Sequence, residues 1–315
     1  MGKTAFLFPG QGSQYTGMGK SLAETYPAAR LVFESADQAL GLSVSALCAK
    51  GTEEQLKLTE NTQPAILTAS IAAFTVLREL GLRPDYVAGH SLGEYSALVA
   101  ASSIRFSDAL RLVRKRGRYM QEAVPPGAGA MAALLKLESE RLKDVLEKAA
   151  QGEVVTAANL NAPDQVVIAG HAGAINRAIE LAKAAGAKRA VLLQVSAPFH
   201  CPLMKPAQQR LLADLSTVTF DDLDWPLVNN WQAREIHTGT EARQGLIEQI
   251  PNTVRWHETI RHLMSRGVDR FIEVGPGGVL SGLLRSIDSS LKGIKFGEAA
   301  DVEKIQAAAT SRLGS

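Results

Sequence analysis

Cysteine is scarce in this chain: 315 residues carry two, Cys48 and Cys201. Two thiols cannot build a disulfide framework, which excludes a small stapled secreted scaffold and suits a reducing compartment. Neither sign of charge is in excess, since 34 Lys and Arg against 32 Asp and Glu leave a net +2. No whole-molecule field therefore argues for nucleic acid or a membrane surface as partner. Apolar runs are short, and none approaches the roughly 18 residues of a membrane span. The opening Met1-Gly2-Lys3-Thr4-Ala5-Phe6-Leu7-Phe8 lacks the apolar stretch and cleavage site of a signal peptide. Phe6 stands where an N-myristoylation signal wants Ser or Thr. No metal-ligand spacing, internal repeat or low-complexity segment is found. What is present is apolar mass, 46% of the residues. At about 150 residues per domain, that suggests one large domain or two unequal ones. A soluble, cytoplasmic protein is expected.

Strand and helix patterns alternate over the first 126 residues. Ala5–Phe8 is a continuous apolar run closed by Pro9-Gly10, as in a buried parallel strand. Helical spacing covers Ser21–Leu40 and Pro64–Leu80, the second closed by Gly81. Tyr86–Ala88 is the next strand, followed by a helix-like stretch from Glu94 and a helix over Ser107–Glu122. The alternation argues for an α/β core on a mostly parallel sheet. After Pro125-Pro126-Gly127 the rhythm changes. Met131–Leu137, Val154–Ala158, Val166–Ala169 and Ala190–Val195 read as strands, with helices at Glu138–Ala150 and Ala174–Ala185. That β-α-β-β-α-β order is ferredoxin-like. Residues 127–196 are thus expected to form a smaller inserted α+β domain, and 1–126 with 197–315 a hydrolase-like catalytic domain. Further on, Leu203–Leu215, Arg243–Gln249, His257–Arg266 and Val279–Ile287 read as helices. Leu227–Asn230 and Arg270–Val274 read as strands.

Gly89-His90-Ser91-Leu92-Gly93 lies between the Tyr86–Ala88 strand and the following helix, the setting in which Gly-x-Ser-x-Gly forms a nucleophile elbow. Ser91 is the expected nucleophile, and an acyl-enzyme the expected intermediate. It needs a base. His171, His237, His257 and His262 sit in polar or helical surroundings, and His90 adjoins the serine on a turn where neighbours point apart. His200 ends Val195-Ser196-Ala197-Pro198-Phe199-His200, where the chain re-enters the main domain, and is the favoured base. Asp108, Asp144 and Asp164 fall between Ser91 and His200, but the first two resemble helix caps and the third lies in a polar loop. A backbone carbonyl could orient the imidazole instead. The amides of Gln11, bracketed by glycines in Phe8-Pro9-Gly10-Gln11-Gly12, and of Leu92 would make an oxyanion hole, each donor contributing about 3–4 kcal/mol. Arg111, Arg114, Lys115, Arg116 and Arg118 form a basic run. One arginine turned inward would clamp a substrate carboxylate. Gly275-Pro276-Gly277-Gly278 reads as a strand-to-helix turn, and Cys201 as a bystander.

The segments GQGSQ, GHSLGEYSAL, RKRGRYMQEAVP, SAPFH and FIEVGPGGVLSGL, in this order, make the chain strongly resemble the malonyl-CoA:acyl carrier protein transacylases, from about Thr4 to Asp288. The resemblance implies that Ser91 takes a malonyl group from coenzyme A and that His200 serves as base and then acid. Gln11 and Leu92 would supply the oxyanion amides, and Arg116 would bind the malonyl carboxylate. Gln63, Met120 and Phe199 would line the substrate site. The family orients its histidine through a backbone carbonyl, which assigns Gln249 or a neighbour. Many relatives carry Asn-Pro-Val or Ser-Pro-Val before an Arg-Trp pair. Here Pro251 stands two places upstream of that position, ahead of Asn252-Thr253-Val254-Arg255-Trp256. Holo acyl carrier protein and malonyl-CoA are the implied partners, with no cofactor beyond the carrier's phosphopantetheine, and a monomer is expected. Arg111, Arg114, Lys115, Lys183, Lys188 and Arg189 are candidates for steering an acidic carrier. The pathway would be fatty acid synthesis or a polyketide assembly line. An α/β-hydrolase esterase or thioesterase fits less well, since more than a hundred residues follow His200 and no His-Gly-Gly-Gly occurs. A non-catalytic docking module would not need Ser91, His200 and Arg116.

Overall fold

The computed structural model describes residues 2–310. Two sheets organise it. Strands β1 (Lys3–Phe8) and β2 (Tyr86–Gly89) lie at the centre of the larger one. Strands β3 (Gly129–Leu135), β4 (Val155–Ala162), β5 (Gln165–His171) and β6 (Arg189–Leu192) build the smaller. Strands β7 (Leu227–Val228), β8 (Glu235–Ile236), β9 (Val268–Val274) and β10 (Gly293–Phe296) complete the larger, in the order β10-β9-β1-β2-β7-β8. Its pairings are parallel except β7 with β8.

Alternation along β1 divides the main core in two, because successive strand side chains face opposite ways. Phe6 and Phe8 pack with Ile66, Leu67, Leu98 and Val113, while Ala5 and Leu7 pack with Trp256, Ile260, Leu263 and Leu284. The sheet is therefore covered by helices on both faces, as a parallel sheet requires.

The smaller sheet is antiparallel in the order β4-β5-β3-β6. Helices Ser139–Ala150 and Ala172–Ala184 cover one face through Val145, Ala149, Ile175 and Ala178. The other side turns toward the main body. A short parallel bridge pairs Asn159 with Val254, and the Leu160 and Val254 amides bond across it at 2.9 and 2.8 Å. Thr253 Oγ1 adds a bond to the Ala157 carbonyl. These contacts hold the small unit against the main body.

Several boundaries depart from the sequence expectations. The helix expected over Ser21–Leu40 is two, Lys20–Thr25 and Pro27–Leu40, with Tyr26 extended between them. A residue before proline is pushed out of the α region, and Pro27 is suited to a first helical position. The helix expected from Pro64 instead begins at Thr59 and carries Pro64 inside it. Its first turn is buried against helix Phe106–Glu122, which outweighs the proline's preference for a start. Strand β3 begins and ends two residues earlier than expected, and the expected Ala190–Val195 strand runs Arg189–Leu192. The strand expected over Leu227–Asn230 stops at Val228, leaving Asn229 and Asn230 free to turn inward. Strand β10 and helix Val302–Thr310 were not anticipated. No helix among the described residues is long and apolar enough to cross a membrane.

Candidate active site

The tips of β1 and β2 carry the two turns from which the site grows. After β2, Ser91 adopts φ 52° and ψ −106°, and helix Leu92–Ala100 starts at the next residue. This sharp reversal lifts Ser91 off the sheet. Both elbow glycines are needed for contact rather than for a left-handed φ. A Cβ on Gly93 would lie 2.0 Å from the Phe8 carbonyl oxygen, and one on Gly89 would lie 1.9 Å from the Gly93 carbonyl oxygen. Asn230 clamps the turn from below, accepting from the Ser91 amide at 2.7 Å and donating to the Gly89 carbonyl at 2.6 Å.

His200 reaches Ser91 from the returning crossover. Its Nε2 lies 2.7 Å from Ser91 Oγ, while Nδ1 donates to the Gln249 carbonyl at 2.9 Å. Nε2 is then the acceptor that a general base requires. His200 also has a left-handed backbone, φ 57°. Among the described residues no carboxylate meets the imidazole: Asp108 pairs with Arg111 and Asp164 with Lys136, both at the surface. Helix Gly239–Gln249 explains why a carbonyl is available. A capping box between Thr238 and Glu241 starts it, and its last carbonyls lack intrahelical partners. Each of the last three finds a side-chain donor. Gln208 bonds Ile247 O at 3.1 Å, Asn252 bonds Glu248 O at 2.8 Å, and His200 takes Gln249 O. Pro251, lacking an N–H, cannot compete for these carbonyls.

Arg116 turns inward from helix Phe106–Glu122, whose Arg111, Lys115 and Arg118 face solvent. It is 1% exposed. Its guanidinium donates to Gln63 Oε1 at 2.9 Å, Gln249 Oε1 at 2.8 Å and Ser91 Oγ at 3.1 Å, above the Tyr95 ring. The next residue permits this approach. A Cβ on Gly117 would sit 2.6 Å from the Thr59 carbonyl oxygen, so glycine lets the two helices close and brings Gln63 to Arg116.

Burial, reinforced by the Arg116 charge, pushes the His200 imidazole down to about 3. It is neutral, and so competent as a base, at any ordinary pH. His90 is also held below the usual imidazole range by burial. It bonds Asn161 of β4 through Nε2 at 2.8 Å and packs edge-on to Trp256. His90 thus ties the elbow to the small sheet. His171 accepts from the Val154 amide, while His237 and His262 meet Glu235, away from the cleft.

Ser91 and His200 open on a cleft of about 380 Å³ between the two sheets, also lined by Gln11, Gln63, Leu92, Arg116, Met120 and Phe199. Met131, Asn159, Asn161 and Val167 close it from the small unit. The Leu92 amide is the first of its helix, and the neighbouring Gly93 and Glu94 amides bond back to His90 and Ser91. Leu92 therefore presents an N–H with no helical acceptor. Gln11 follows β1 in a turn where the Ser13 amide bonds the Gly10 carbonyl, and its side chain reaches Thr59 Oγ1 at 3.4 Å. A nucleophile, a neutral base, two backbone turns at the strand tips and a buried cation meet in one cleft. Such a site can acylate and deacylate a serine with a group that ends in a negative charge.

Sequence reasoning missed the support beneath this cleft. Glu94 is fully buried and accepts from the Gln249 side chain at 2.8 Å and the Asn230 amide at 3.0 Å. Its signal was a lone carboxylate in the otherwise apolar stretch Leu92–Ala100, which must find partners if enclosed. Asn230 and the Gln249 side chain left no such mark. Of the carrier-steering candidates, Arg111, Arg114 and Lys115 line one surface hollow together with Arg118. Lys115 pairs with Asp214, Arg111 with Asp108 and Lys183 with Glu180. Cys48 and Cys201 are buried and free. Among the described residues no cluster of His, Cys, Asp and Glu could hold a metal.

The family described as "Acyl transferase domain" matches residues 5–309. The malonyl CoA-acyl carrier protein transacylase of Bacillus subtilis (strain 168) is 49% identical over 304 residues, covering 96% of this chain and 96% of that protein. A crystal structure of an acyl carrier protein S-malonyltransferase from Vibrio cholerae superimposes with a TM-score of 0.94 at 45% identity, covering 96% of this chain and 99% of that one. A malonyl-transacylase solved in complex with a type II PKS acyl-carrier protein is 44% identical, with a TM-score of 0.93 over 96% of this chain and 98% of that one.

Proposed function

This chain belongs to the acyl transferase domain family, and from that premise we propose the reaction of its site: malonyl transfer from coenzyme A to the phosphopantetheine thiol of holo acyl carrier protein, through an ester on Ser91. One observation carries the assignment. A buried arginine and a neutral histidine both bond the same serine oxygen, at 3.1 and 2.7 Å.

His200 Nε2 removes the Ser91 proton as Oγ attacks the thioester carbonyl carbon. The oxyanion that forms accepts from the Gln11 and Leu92 amides, each contributing about 3–4 kcal/mol. The intermediate collapses, the C–S bond breaks, and coenzyme A leaves with the proton held by His200. In the second half, His200 takes the carrier thiol's proton, sulfur attacks the ester, and Ser91 recovers the proton as it leaves. Thioester and ester are close enough in energy that no ATP, metal or redox cofactor is required. Arg116 holds the malonyl carboxylate throughout, contributing about 1.5–3 kcal/mol net, or roughly ten- to a hundredfold discrimination over acetyl. Met120 and Phe199 shape the acyl pocket.

We assign the product to fatty acid synthesis, in the cytoplasm, by a monomer. A polyketide carrier is the second reading, favoured by the relative solved with a type II PKS acyl-carrier protein. The test is to incubate the protein with labelled malonyl-CoA, with and without holo carrier, and follow the label. Stable label on Ser91 that moves to the carrier thiol is expected, and Ser91→Ala abolishes it. Label released as free malonate whether or not carrier is present makes the protein a hydrolase and overturns the assignment. Carriers of the two pathways, compared by kcat/KM, separate the two readings.

A further inference from the structure

Glu94 has no part in the chemistry above, yet it stands three residues from Ser91 with its carboxylate fully enclosed. Its Oε2 accepts from the Asn230 amide at 3.0 Å and from Gln249 Nε2 at 2.8 Å, while Oε1 has no partner among the described residues. Burying a carboxylate is costly, and a fold that retains one with an orphaned oxygen obtains something in return.

That return lies in Gln249. A carboxamide can be seated two ways, exchanging its oxygen and its NH₂. Here Oε1 accepts from Arg116 at 2.8 Å while Nε2 donates to Glu94 and, at 3.0 Å, to the Ser91 carbonyl. Reversed, the NH₂ would face guanidinium donors and the oxygen would face a carboxylate, replacing attractions by repulsions. Glu94 on one side and Arg116 on the other admit a single orientation. The same residue's backbone carbonyl holds His200, and Asn230, also gripped by Glu94, accepts from the Ser91 amide.

We propose that Glu94 is a positioning residue: through the Gln249 carboxamide it fixes the Arg116 guanidinium, and thereby sets the preference for an acyl group that ends in a carboxylate. It touches no reacting atom. The inference rests on the role given to Arg116 above and extends it to a residue outside the cleft.

The experiment compares Glu94→Ala, Glu94→Asp, Glu94→Gln and Arg116→Ala, measuring kcat/KM with malonyl-CoA and acetyl-CoA beside thermal melts. Alanine removes the acceptor. Aspartate keeps a charge but withdraws it from Gln249 by about 1.5 Å. Glutamine keeps one oxygen for both donors. The malonyl-to-acetyl ratio is expected to fall at least about tenfold in the alanine and aspartate variants, and to stay within about threefold in the glutamine variant. In an Arg116→Ala background, Glu94→Ala is expected to lower the ratio no further. A residue that only supports the fold would lower the melting temperature and slow both substrates together. A parental ratio in Glu94→Ala, or in Glu94→Asp should the alanine variant not fold, overturns the proposal. A ratio unmoved by Arg116→Ala sinks the clamp itself. A ratio that collapses there but holds in Glu94→Asp sinks the role of Glu94 alone.

Discussion

His200 should work as a base far into acid, and the size of that effect follows from its surroundings. Burial and then the Arg116 charge push its imidazole down to about 3, against 6.5 for an unperturbed group. At pH 5 an ordinary imidazole is about 3% neutral, whereas one titrating near 3 is about 99% neutral. The rate of Ser91 acylation should therefore be almost unchanged between pH 7.5 and pH 5, where an unperturbed base would lose about thirtyfold. Acetyl-CoA is the better probe, because it lacks the carboxylate that would pair with Arg116. Rapid-quench measurement of acetyl-Ser91 formation under kcat/KM conditions reports the free enzyme's base. Arg116→Ala should move the acid limb upward yet leave it below 6.5, because burial, the larger cause, remains. An acid limb near 6.5 in the parent, or one that ignores Arg116, would refute the reasoning. The same depression bears on stability: the neutral form's contribution is complete above about pH 6.5 and is lost as pH falls toward 3.

The remaining expectations concern the frame around the site. Glu94 titrates in the opposite sense, pushed up to about 7 by burial. Stability linked to its protonated form is full below about pH 4.5 and lost as pH rises through 7. The advantage of the parent over Glu94→Gln in urea unfolding should thus shrink by at most about 3 kcal/mol from pH 4.5 to 8, and a constant difference would contradict it. Gly93→Ala drives a Cβ into the Phe8 carbonyl oxygen, so melting should show about 1–3 kcal/mol lost together with most acylation. Asn161→Leu strands the half-buried His90 Nε2–H, at a cost of about 1–3 kcal/mol by chemical denaturation, with Ser91 still labelled.

The part of this molecule legible from sequence is the part written in local pattern. Gly89 to Gly93 between an apolar strand and a helix pointed to the elbow because steric demands there act on adjacent residues. Short apolar runs and helical spacing exposed β1, β2 and the strands and helices of the small sheet for the same reason. What stayed hidden depends on partners distant in the chain. Pro64 reads as a helix start, and only the packing of Thr59 under Gly117 explains the extra turn before it. Strand β10 is four residues long and includes a glycine and a lysine, so its pairing with β9 supplies the evidence its own pattern lacks. Among five clustered cations, nothing local distinguishes Arg116 from Arg114 or Arg118. The resemblance, not the spacing, selected it, and the structure places it beside Ser91.

Ser91 and His200 are two of the six non-glycine residues with positive φ among those described. Such a backbone costs on the order of 1–3 kcal/mol per residue, and glycine at either position would relieve it. Selection for heat resistance alone would therefore drift toward glycine at 91 and 200, reaching a sturdier protein with no chemistry. Anyone engineering this scaffold should score every round on turnover as well as on melting, and hold those two positions out of the library.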